Sequence, residues 1–188
     1  PVIIAPESLV IEAEDLFTGV FLGNVTASDD SGIKIIINNA PEQFSLGVTN
    51  ILWIAFDNSG LSSTASQKVD VKACGQNHYD FNLIEGTAGN DVLIGTDGDD
   101  LIFGLSGNDL ISGGLGNDCI FGGLGDDIIS GDAGDDTIKG NSGHDVLKGL
   151  TGNDIIYANS GSDVIDGDVN LDRCYSDSEK DLLQNCES

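Results

Sequence analysis

The sequence predicts an all-β fold in two parts, an antiparallel β-sandwich over residues 1–73 and a parallel β-roll over residues 86–175. Two observations carry this prediction. The first 73 residues contain short strand-like stretches separated by Gly, Asn, Asp, Ser and Pro, with no helical periodicity. From Gly86 onward a nine-residue glycine and aspartate repeat holds its register without insertion to Ile165. Residues 74–85 are then a connector, and residues 176–188 form a C-terminal cap.

Five stretches of the first part are predicted strands, because each is apolar or alternating and is bounded by turn residues. They are residues 9–13, 20–27, 33–38, 51–57 and 64–73. In the last stretch Val69 and Val71 alternate with charged residues, as in a half-buried strand. Trp53 and Phe56 are interpreted as core residues, since aromatic side chains in strands are usually buried. A sandwich this small is either compact and complete or open along one edge.

The stretch FSLGVTNILWIAFDNSGLSSTASQKVDV, from Phe44 to Val71, resembles the hyalin-repeat (HYR) family. The resemblance depends on an F-x-L-G pattern, an A-x-D-x-S-G turn after a strand, and a final alternating strand. The opening PVIIAPESLVIEAE fits the same family. The resemblance implies an immunoglobulin-like β-sandwich of the kind found in extracellular adhesion proteins. Asn24 begins a glycosylation sequon whose occupancy the sequence does not decide.

The repeat of the second part runs GTAGNDVLI, GTDGDDLIF, GLSGNDLIS, GGLGNDCIF, GGLGDDIIS, GDAGDDTIK, GNSGHDVLK, GLTGNDIIY, ANSGSDVID and a degraded GDVNLDRCY. The units share glycine at positions one and four, aspartate at six and an aliphatic residue at eight. A flexible linker would explain the composition but not the fixed aliphatic position. The glycines allow six residues to turn tightly, and the last three residues form a strand. Two units make one coil, and coils stack at about 4.8 Å as a parallel β-roll.

Stacking by two units places the aspartates in two columns, with a thin aliphatic core between two sheets. One column is Asp91, Asp109, Asp127, Asp145 and Asp163, and the other is Asp100, Asp118, Asp136, Asp154 and Asp172. The core is Leu93, Ile111, Ile129, Leu147 and Ile165 against Ile102, Ile120, Ile138 and Ile156. Two carboxylates about 5 Å apart repel by roughly 3 kcal/mol at an effective dielectric near 20. A divalent cation would convert this repulsion into coordination, and carboxylate and carbonyl oxygens suit calcium.

The repeat resembles the RTX (hemolysin-type) family of calcium-binding repeats, which implies a right-handed roll holding several Ca²⁺ ions, up to about eight. In that family one turn provides the carbonyls of its second and fourth residues and its aspartate. The turn one coil later provides the carbonyls of its first and third residues and its aspartate. A first site would then combine Thr87, Gly89 and Asp91 with Gly104, Ser106 and Asp109. Over the whole array the implied backbone ligands are Thr87, Gly89, Thr96, Gly98, Gly104, Leu105, Ser106, Gly107, Gly113, Gly114, Leu115, Gly116, Gly122, Gly123, Leu124, Gly125, Gly131, Asp132, Ala133, Gly134, Gly140, Asn141, Ser142, Gly143, Gly149, Leu150, Thr151 and Gly152.

Several polar residues of the repeat lie outside this ligand pattern. His144 is interpreted as an exposed turn residue. Asp166, Asp168, Asn170 and Asp172 alternate like the first ligands of an EF-hand loop, but Leu171 replaces the glycine, so a terminal roll site is preferred. Two units depart from the pattern itself, because Ala158 replaces a leading glycine and the tenth unit lacks its second glycine. Further carboxylates, interpreted as solvated surface, are Asp97, Asp99, Asp126, Asp132 and Asp135.

The four cysteines favour disulfides and an extracellular or cell-surface location. Cys119 lies in the fourth unit, about 7 Å above the first, and is within reach of the connector that begins at Cys74. We therefore predict a Cys74 to Cys119 disulfide, with a bridge to another subunit as the alternative. A second disulfide, Cys174 to Cys186, would tie the cap over the last coil. The NCES ending resembles the closing segment of many RTX-type chains.

Positions seven and nine of each unit face outward, and they differ between the two sheets. Leu101, Phe103, Cys119 and Phe121 cluster on one sheet, where we expect the connector or the sandwich to cover them. On the other sheet the outward residues form an aliphatic stripe, which reflects either ordinary β-propensity or a docking surface. The stripe consists of Val92, Leu110, Ile128, Val146 and Val164.

Charge and missing motifs exclude several functions. The net charge is −25, of which residues 1–74 contribute −6 and the remainder −19. This excludes nucleic acid as a partner and disfavours anionic lipid, and no apolar run is long enough for membrane insertion. The sequence has no HExxH, G-x-S-x-G or GK[ST] motif, so we expect no enzyme.

We expect a non-enzymatic extracellular calcium-binding protein with a structural or adhesive role, whose β-roll is folded and stiffened by Ca²⁺. Its expected partners are calcium and either further copies of itself, in a filament or surface layer, or other surface proteins and glycans. One alternative is a calcium-triggered folding and secretion module of a larger exoprotein. A second alternative is a carbohydrate-binding module, which only Trp53 and a few tyrosines suggest.

Overall fold

A computed structural model describes residues 1–14, 16–178 and 180–187 of the chain. Over these residues the protein is all-β apart from one 3₁₀ turn at His78–Asp80. The chain divides into two compact units, Pro1–Asn77 and His78–Ser188. Among the residues described, no helix is long and apolar enough to cross a membrane.

The first unit is built on a four-stranded sheet with the strand order β2-β8-β7-β5. In it β2 runs parallel to β8, and the other neighbours are antiparallel. Two further pairs, β1 with β4 and β3 with β6, are antiparallel and form separate sheets. The strands are β1 (Val2–Ile4), β2 (Leu9–Glu12), β3 (Phe17–Thr18), β4 (Thr26–Ser28), β5 (Ile33–Asn38), β6 (Phe44–Ser45), β7 (Gly47–Asp57) and β8 (Ser62–Lys72). An immunoglobulin-like arrangement of these sheets stays a prediction.

Four of the five predicted strands form, but the prediction for residues 20–27 was wrong. Only the end of that stretch becomes a strand, Thr26–Ser28. Gly23 adopts a φ of 81°, which ends extended pairing at that point. Phe21, which a half-buried strand would cover, is 83% exposed.

The core of the first unit surrounds one buried hydrogen-bond network. Trp53 is 6% exposed, as expected of a core residue, whereas Phe56 is only partly buried. The indole Nε1 of Trp53 donates to Gln67 Oε1 at 3.1 Å, and Gln67 Nε2 donates to the carbonyls of Glu7 and Leu22, both at 2.9 Å. The buried amide is therefore satisfied by the protein itself.

The second unit is a β-solenoid of about six turns, consistent with the predicted parallel β-roll. One sheet has the order β10-β12-β14-β16-β19-β21, and the other has the order β9-β11-β13-β15-β17-β20, with β18 paired to β15. The strands are β9 (Asn82–Glu85), β10 (Val92–Ile94), β11 (Asp100–Ser106), β12 (Leu110–Leu115), β13 (Cys119–Leu124), β14 (Ile128–Ala133), β15 (Thr137–Gly143), β16 (Val146–Thr151), β17 (Ile155–Tyr157), β18 (Ser160–Gly161), β19 (Val164–Val169), β20 (Arg173–Tyr175) and β21 (Leu182–Gln184). All neighbours are parallel, and each residue pairs with the one two units later, as Ile102 does with Ile120.

The core of this unit is one aliphatic residue thick per repeat, as the period predicts. Ile102, Ile111, Ile120, Ile129 and their successors along the array are fully buried in one cluster. The two outermost strands come from the segments on either side of the repeats. β9 pairs with β11, aligning Asn82 with Asp100, and β21 pairs with β19, aligning Leu182 with Val164.

A disulfide closes the C-terminal end of the aliphatic core, which confirms the predicted pairing. Cys174 and Cys186 are bonded, with their Cα atoms 5.6 Å apart, and both pack against the core cluster. Among the described residues no cysteine is free. The pairing of Cys74 with Cys119 stays a prediction.

Candidate metal centre

The position-six aspartates form two hydrogen-bonded ladders, one along each edge of the roll. In both ladders the Oδ1 atom of an aspartate accepts a hydrogen bond from the backbone N–H of the aspartate one coil earlier. This distance is 2.8 Å from Asp109 N to Asp127 Oδ1 and 2.9 Å from Asp136 N to Asp154 Oδ1. The structure thus brings together Asp91, Asp109, Asp127, Asp145 and Asp163 on one edge and Asp100, Asp118, Asp136, Asp154 and Asp172 on the other.

The second oxygen of most of these aspartates is buried without a hydrogen-bond partner. The unpartnered atoms are the Oδ2 atoms of Asp109, Asp118, Asp127, Asp136, Asp145, Asp154, Asp163 and Asp172. Each belongs to the later member of a pair of aspartates one coil apart, so there is one for each of the eight predicted sites. A buried carboxylate oxygen without a partner is costly, because burial removes its hydration and nothing replaces it.

The leading glycine of each unit leaves open the space into which these oxygens point. A Cβ atom added to Gly122 would lie 2.5 Å from Asp127 Oδ2 and 2.7 Å from the carbonyl oxygen of Gly140 in the next coil. At Gly140 the corresponding distances are 2.5 Å to Asp145 Oδ2 and 2.9 Å to the carbonyl oxygen of Ala158. An aspartate of one turn and the first carbonyl of the next turn therefore converge on a space that only glycine leaves free.

Other carbonyls of the turns also point into the gap between coils. A Cβ atom on Gly123 would overlap the carbonyl oxygen of Leu105, and one on Gly125 would overlap that of Gly107. Positions two and four of a turn thus direct their oxygens toward the following coil. The position-three carbonyl points back, since Leu124 O accepts a hydrogen bond from Gly107 N at 2.8 Å. The position-three oxygen thus already has one donor, and the ligand set implied by the resemblance to the RTX family stays a prediction.

The two units that depart from the repeat keep the aspartate ladder. Ala158 interrupts the strand, because β17 ends at Tyr157 and β18 begins at Ser160. Even so, Asp145 N donates to Asp163 Oδ1 at 2.9 Å, and Asp154 N donates to Asp172 Oδ1 at 2.9 Å. Position two of these units keeps the positive φ found in most of the other turns, 62° at Asn159 and 71° at Asp168, and the carboxylates stay in place.

At three of the four ladder ends, a hydroxyl group donates a hydrogen bond to the Oδ2 atom, which has no partner in the interior of the ladders. Thr87 Oγ1 donates to Asp91 Oδ2 at 2.9 Å, and Thr96 Oγ1 donates to Asp100 Oδ2 at 3.0 Å. At the other end the ladder continues to Asp181, whose Oδ1 accepts from Asp163 N at 3.0 Å and whose Oδ2 accepts from Ser176 Oγ at 2.7 Å. The chain therefore satisfies the terminal carboxylates Asp91, Asp100 and Asp181, whereas Asp172 at the remaining end has an unpartnered Oδ2 like the interior carboxylates.

The sequence prediction missed Asp181 because its unit, SDSEKDLLQ, has lost both glycines. The remaining signal was the Asp-Leu-Leu triplet nine residues after Asp172-Arg173-Cys174, in phase with the repeat. Asn82 occupies the equivalent place at the start of the other ladder, where the unit is NHYDFNLIE.

Burial and mutual repulsion raise the pKa of the interior aspartates, because both disfavour the charged form. Burial is the main cause, repulsion between neighbouring aspartates adds to it, and the backbone hydrogen bond opposes it. The pKa rises to about 7 at Asp136 and Asp145, and to about 6 at Asp118, Asp127 and Asp154. A cation between the coils would reverse this effect by favouring the ionised form.

Position five of the turns carries a second ladder, so three of the five carboxylates interpreted as solvated surface also accept backbone hydrogen bonds, and a fourth, Asp132, accepts from the hydroxyls of Ser112 and Ser130. Asp99 Oδ1 accepts from Asn117 N at 2.7 Å, and Asp126 and Asp135 accept in the same way from His144 N and Asn153 N, both at 2.8 Å. His144 continues the ladder, since its Nδ1 accepts from Ser162 N at 3.0 Å. Histidine at position five therefore accepts the same hydrogen bond that asparagine and aspartate accept in other units.

Among the residues described, no three His, Cys, Asp or Glu side chains converge as a metal site. The gaps between coils instead combine two carboxylates with main-chain carbonyls, and such an all-oxygen donor set suits a hard cation such as Ca²⁺.

Comparison with protein-family models agrees with this geometry. The family described as HemolysinCabind, RTX calcium-binding nonapeptide repeat (4 copies), matches residues 85–119, 112–147 and 139–173. The matches together span residues 85–173, slightly less than half of the chain. A search of curated proteins found no match. The second unit therefore carries RTX repeats, which form a structural calcium-binding family.

Proposed function

We propose that this protein is a non-enzymatic, extracellular structural or adhesive protein whose roll is folded and stiffened by Ca²⁺. The observation that carries the proposal is the set of eight buried, unpartnered Oδ2 atoms along the two ladders. Each lies in a gap between coils that also holds carbonyl oxygens. One Ca²⁺ ion in each gap would give every one of these oxygens a partner.

A typical interior site is proposed to lie between the turn that begins at Gly104 and the turn that begins at Gly122. Its ligands would be the carbonyls of Leu105 and Gly107 with Asp109 from the earlier turn. The carbonyls of Gly122 and Leu124 with Asp127 would come from the later turn. The charge arithmetic favours this occupancy, because eight divalent ions would offset 16 of the negative charges responsible for the net −25.

The extracellular location is supported by the Cys174–Cys186 disulfide and by the absence of a free cysteine among the described residues. Calcium fits the same location, since millimolar extracellular calcium fills sites of modest affinity. The adhesive role is supported by the resemblance of residues 44–71 to the hyalin-repeat family.

Calorimetry and native mass spectrometry, with Ca²⁺ and with Mg²⁺, test the proposal. We expect up to eight bound Ca²⁺ ions and much weaker Mg²⁺ binding, because Mg²⁺ is reluctant to exchange its water for a cage of protein oxygens. Equal binding of the two ions, or no binding of either, would contradict the proposal.

A further inference from the structure

One face of the roll carries a continuous, uncovered row of aliphatic side chains. In the β10 sheet, position seven of each coil pairs in register with position seven of the next, from Val92 through Leu110 and Ile128 onward. The row, here called the stripe, is Val92, Leu110, Ile128, Val146, Val164 and Leu182. All are exposed except Val146, which is half-buried, and Leu110 is 50% exposed.

On the other sheet of the same roll, outward-facing apolar side chains are not exposed to solvent. There the outward-facing Leu101, Phe103, Cys119 and Phe121 are almost completely buried. The stripe has the same chemistry and the same place in the repeat, yet a single copy of the chain leaves it in water.

The stripe face carries few charges in a chain of net charge −25, and one of them is Asp132, whose carboxylate accepts hydrogen bonds from the hydroxyls of Ser112 and Ser130. Position nine of the same strands provides Ile94, Ser112, Ser130, Lys148, Asp166 and Gln184. The only charges among these outward residues are Lys148 and Asp166, which pair in neighbouring strands and cancel. A second copy of this acidic chain would therefore meet less repulsion at this face than at the aspartate-rich edges of the roll.

The area of the stripe suits a pair of copies. With Ile94, six of its seven residues are between 37% and 69% exposed, so two copies face to face would bury an area on the order of 1,000 Å², at the lower end of the range for specific interfaces. The spacing is also self-complementary, since every coil presents one branched aliphatic ridge at the same interval. Ridges of one copy can fill the grooves of another, as in aligned sheet packing.

We propose that the folded roll forms a two-fold symmetric dimer through the stripe, with a second copy of this chain as its occupant. This inference rests on the proposed calcium-folded roll, because the stripe exists only when the coils are stacked.

Sedimentation velocity of the full chain in excess Ca²⁺ tests the stripe. We expect a dimer for the native chain and a monomer for Leu110→Asp, whose dimer should dissociate about 100-fold more readily because a charge is buried in each half of the interface. The matched control is Leu171→Asp, since Leu171 is 62% exposed on the same roll, lies off the stripe and precedes an aspartate as Leu110 follows one. This control should remain a dimer.

Circular dichroism and calcium stoichiometry of each variant separate loss of pairing from loss of folding. If Leu110→Asp folds poorly, Ile128→Thr, which keeps a β-branched residue, serves instead. A native monomer with a folded roll, or a dimer that survives both stripe variants, would overturn the proposal. Failure of the calcium proposal would show differently, as circular dichroism that does not respond to Ca²⁺, and sedimentation of the variants would still decide the stripe.

Discussion

The two units of this protein satisfy their buried polar groups in opposite ways. In the first unit Gln67 is buried, and its amide bonds to Trp53 and to two main-chain carbonyls. In the second unit the buried polar groups are carboxylates, each with one oxygen bonded and, in eight of them, one oxygen without a partner. The first unit thus satisfies its buried amide within the chain, whereas the second leaves eight buried carboxylate oxygens without a partner.

This difference is one of charge as much as of hydrogen bonding. Among the described residues, the unpartnered buried atom of the first unit is the hydroxyl of Ser63, a neutral group. Burial of an unpaired carboxylate costs several kcal/mol more than burial of a hydroxyl. The roll offsets these charges with a core only one aliphatic residue thick per repeat. Its stability should therefore depend on Ca²⁺, and that of the first unit should not.

Calcium removal is the largest expected effect. Chelation should unfold residues 78–187 and leave residues 1–77 folded. Hydrogen exchange with mass spectrometry would show fast exchange throughout the repeat peptides and unchanged protection in β7 and β8. Trp53 provides an independent reporter, because it is the only tryptophan and lies in the core of the first unit. Protection of the repeats after thorough chelation, or a red shift of Trp53 emission, would contradict the expected difference in calcium dependence between the two units.

Asp127→Asn is expected to have the next largest effect. Asp127 lies between two gaps, because it follows Asp109 and precedes Asp145 in the ladder. At a calcium concentration 100-fold above Kd each site contributes about 2.7 kcal/mol, so the loss of two sites would cost about 5 kcal/mol. Native mass spectrometry should show up to two fewer ions. Asp97→Asn is the control, since Asp97 is an exposed carboxylate outside the ladders. Equal losses in both variants would mean that net charge, and not the ladder, holds the ions.

The roll was largely predictable because a nine-residue period fixes which residues share an edge, a core position or an outer face. The aspartate columns, the thin core and the register of Ile102 with Ile120 follow from counting. The period gives no signal where a unit folds like the others but has lost its glycines, as around Asn82 and Asp181. Each of these segments only has to pair with the open edge of a neighbouring strand. Such pairing does not require a particular turn sequence.

The first unit was less predictable because an antiparallel sheet has no such period. Turn residues located most of its strands but not residues 20–27, where apolar composition was mistaken for pairing. Composition does not show whether the backbone between Gly19 and Gly23 finds a partner strand.

Reduction of the terminal disulfide should cost about 3 kcal/mol, because Cys174 and Cys186 are 12 residues apart and closure of such a loop restricts the unfolded chain. Cys174→Ser should lower the midpoint of roll unfolding in Ca²⁺ and leave the Trp53 transition of the first unit unchanged. Peptide mapping without reduction would also identify the partner of Cys119. A fragment that joins it to any cysteine other than Cys74 would contradict the predicted pairing.

Gly122→Ala tests whether the open space over a leading glycine is required. The added methyl group would crowd Asp127 Oδ2 and Gly140 O, so we expect a loss of about 1–3 kcal/mol and weaker calcium binding. Gly89→Ala is the matched control, because a Cβ atom there would have only Thr87 Oγ1 nearby, at 3.9 Å. Calorimetric scans in Ca²⁺ would compare the two. Similar losses would point to a general cost of removing glycine and not to crowding of the site.

Acidification without calcium should change the stability of the two units in opposite directions. In the roll the folded state raises the pKa of the interior aspartates from 3.8 to about 6 or 7, so it binds protons more tightly than the unfolded chain does. Calcium-free roll structure should therefore be least stable above about pH 7 and should gain stability as the pH falls toward about 4.

In the first unit the hydroxyl of Ser31 lowers the pKa of the partly buried Asp29 to about 2, so that contribution is present above about pH 4 and is lost in stronger acid. Circular dichroism of the chelated protein between about pH 8 and pH 4 follows the roll, and Trp53 emission between about pH 5 and pH 2 follows the first unit. A calcium-free roll that loses β structure as the pH falls would contradict the inference that buried charge is what destabilises it. In excess Ca²⁺ the sign reverses, because protons then compete with the ion for the same Oδ2 atoms, and binding should weaken below about pH 7.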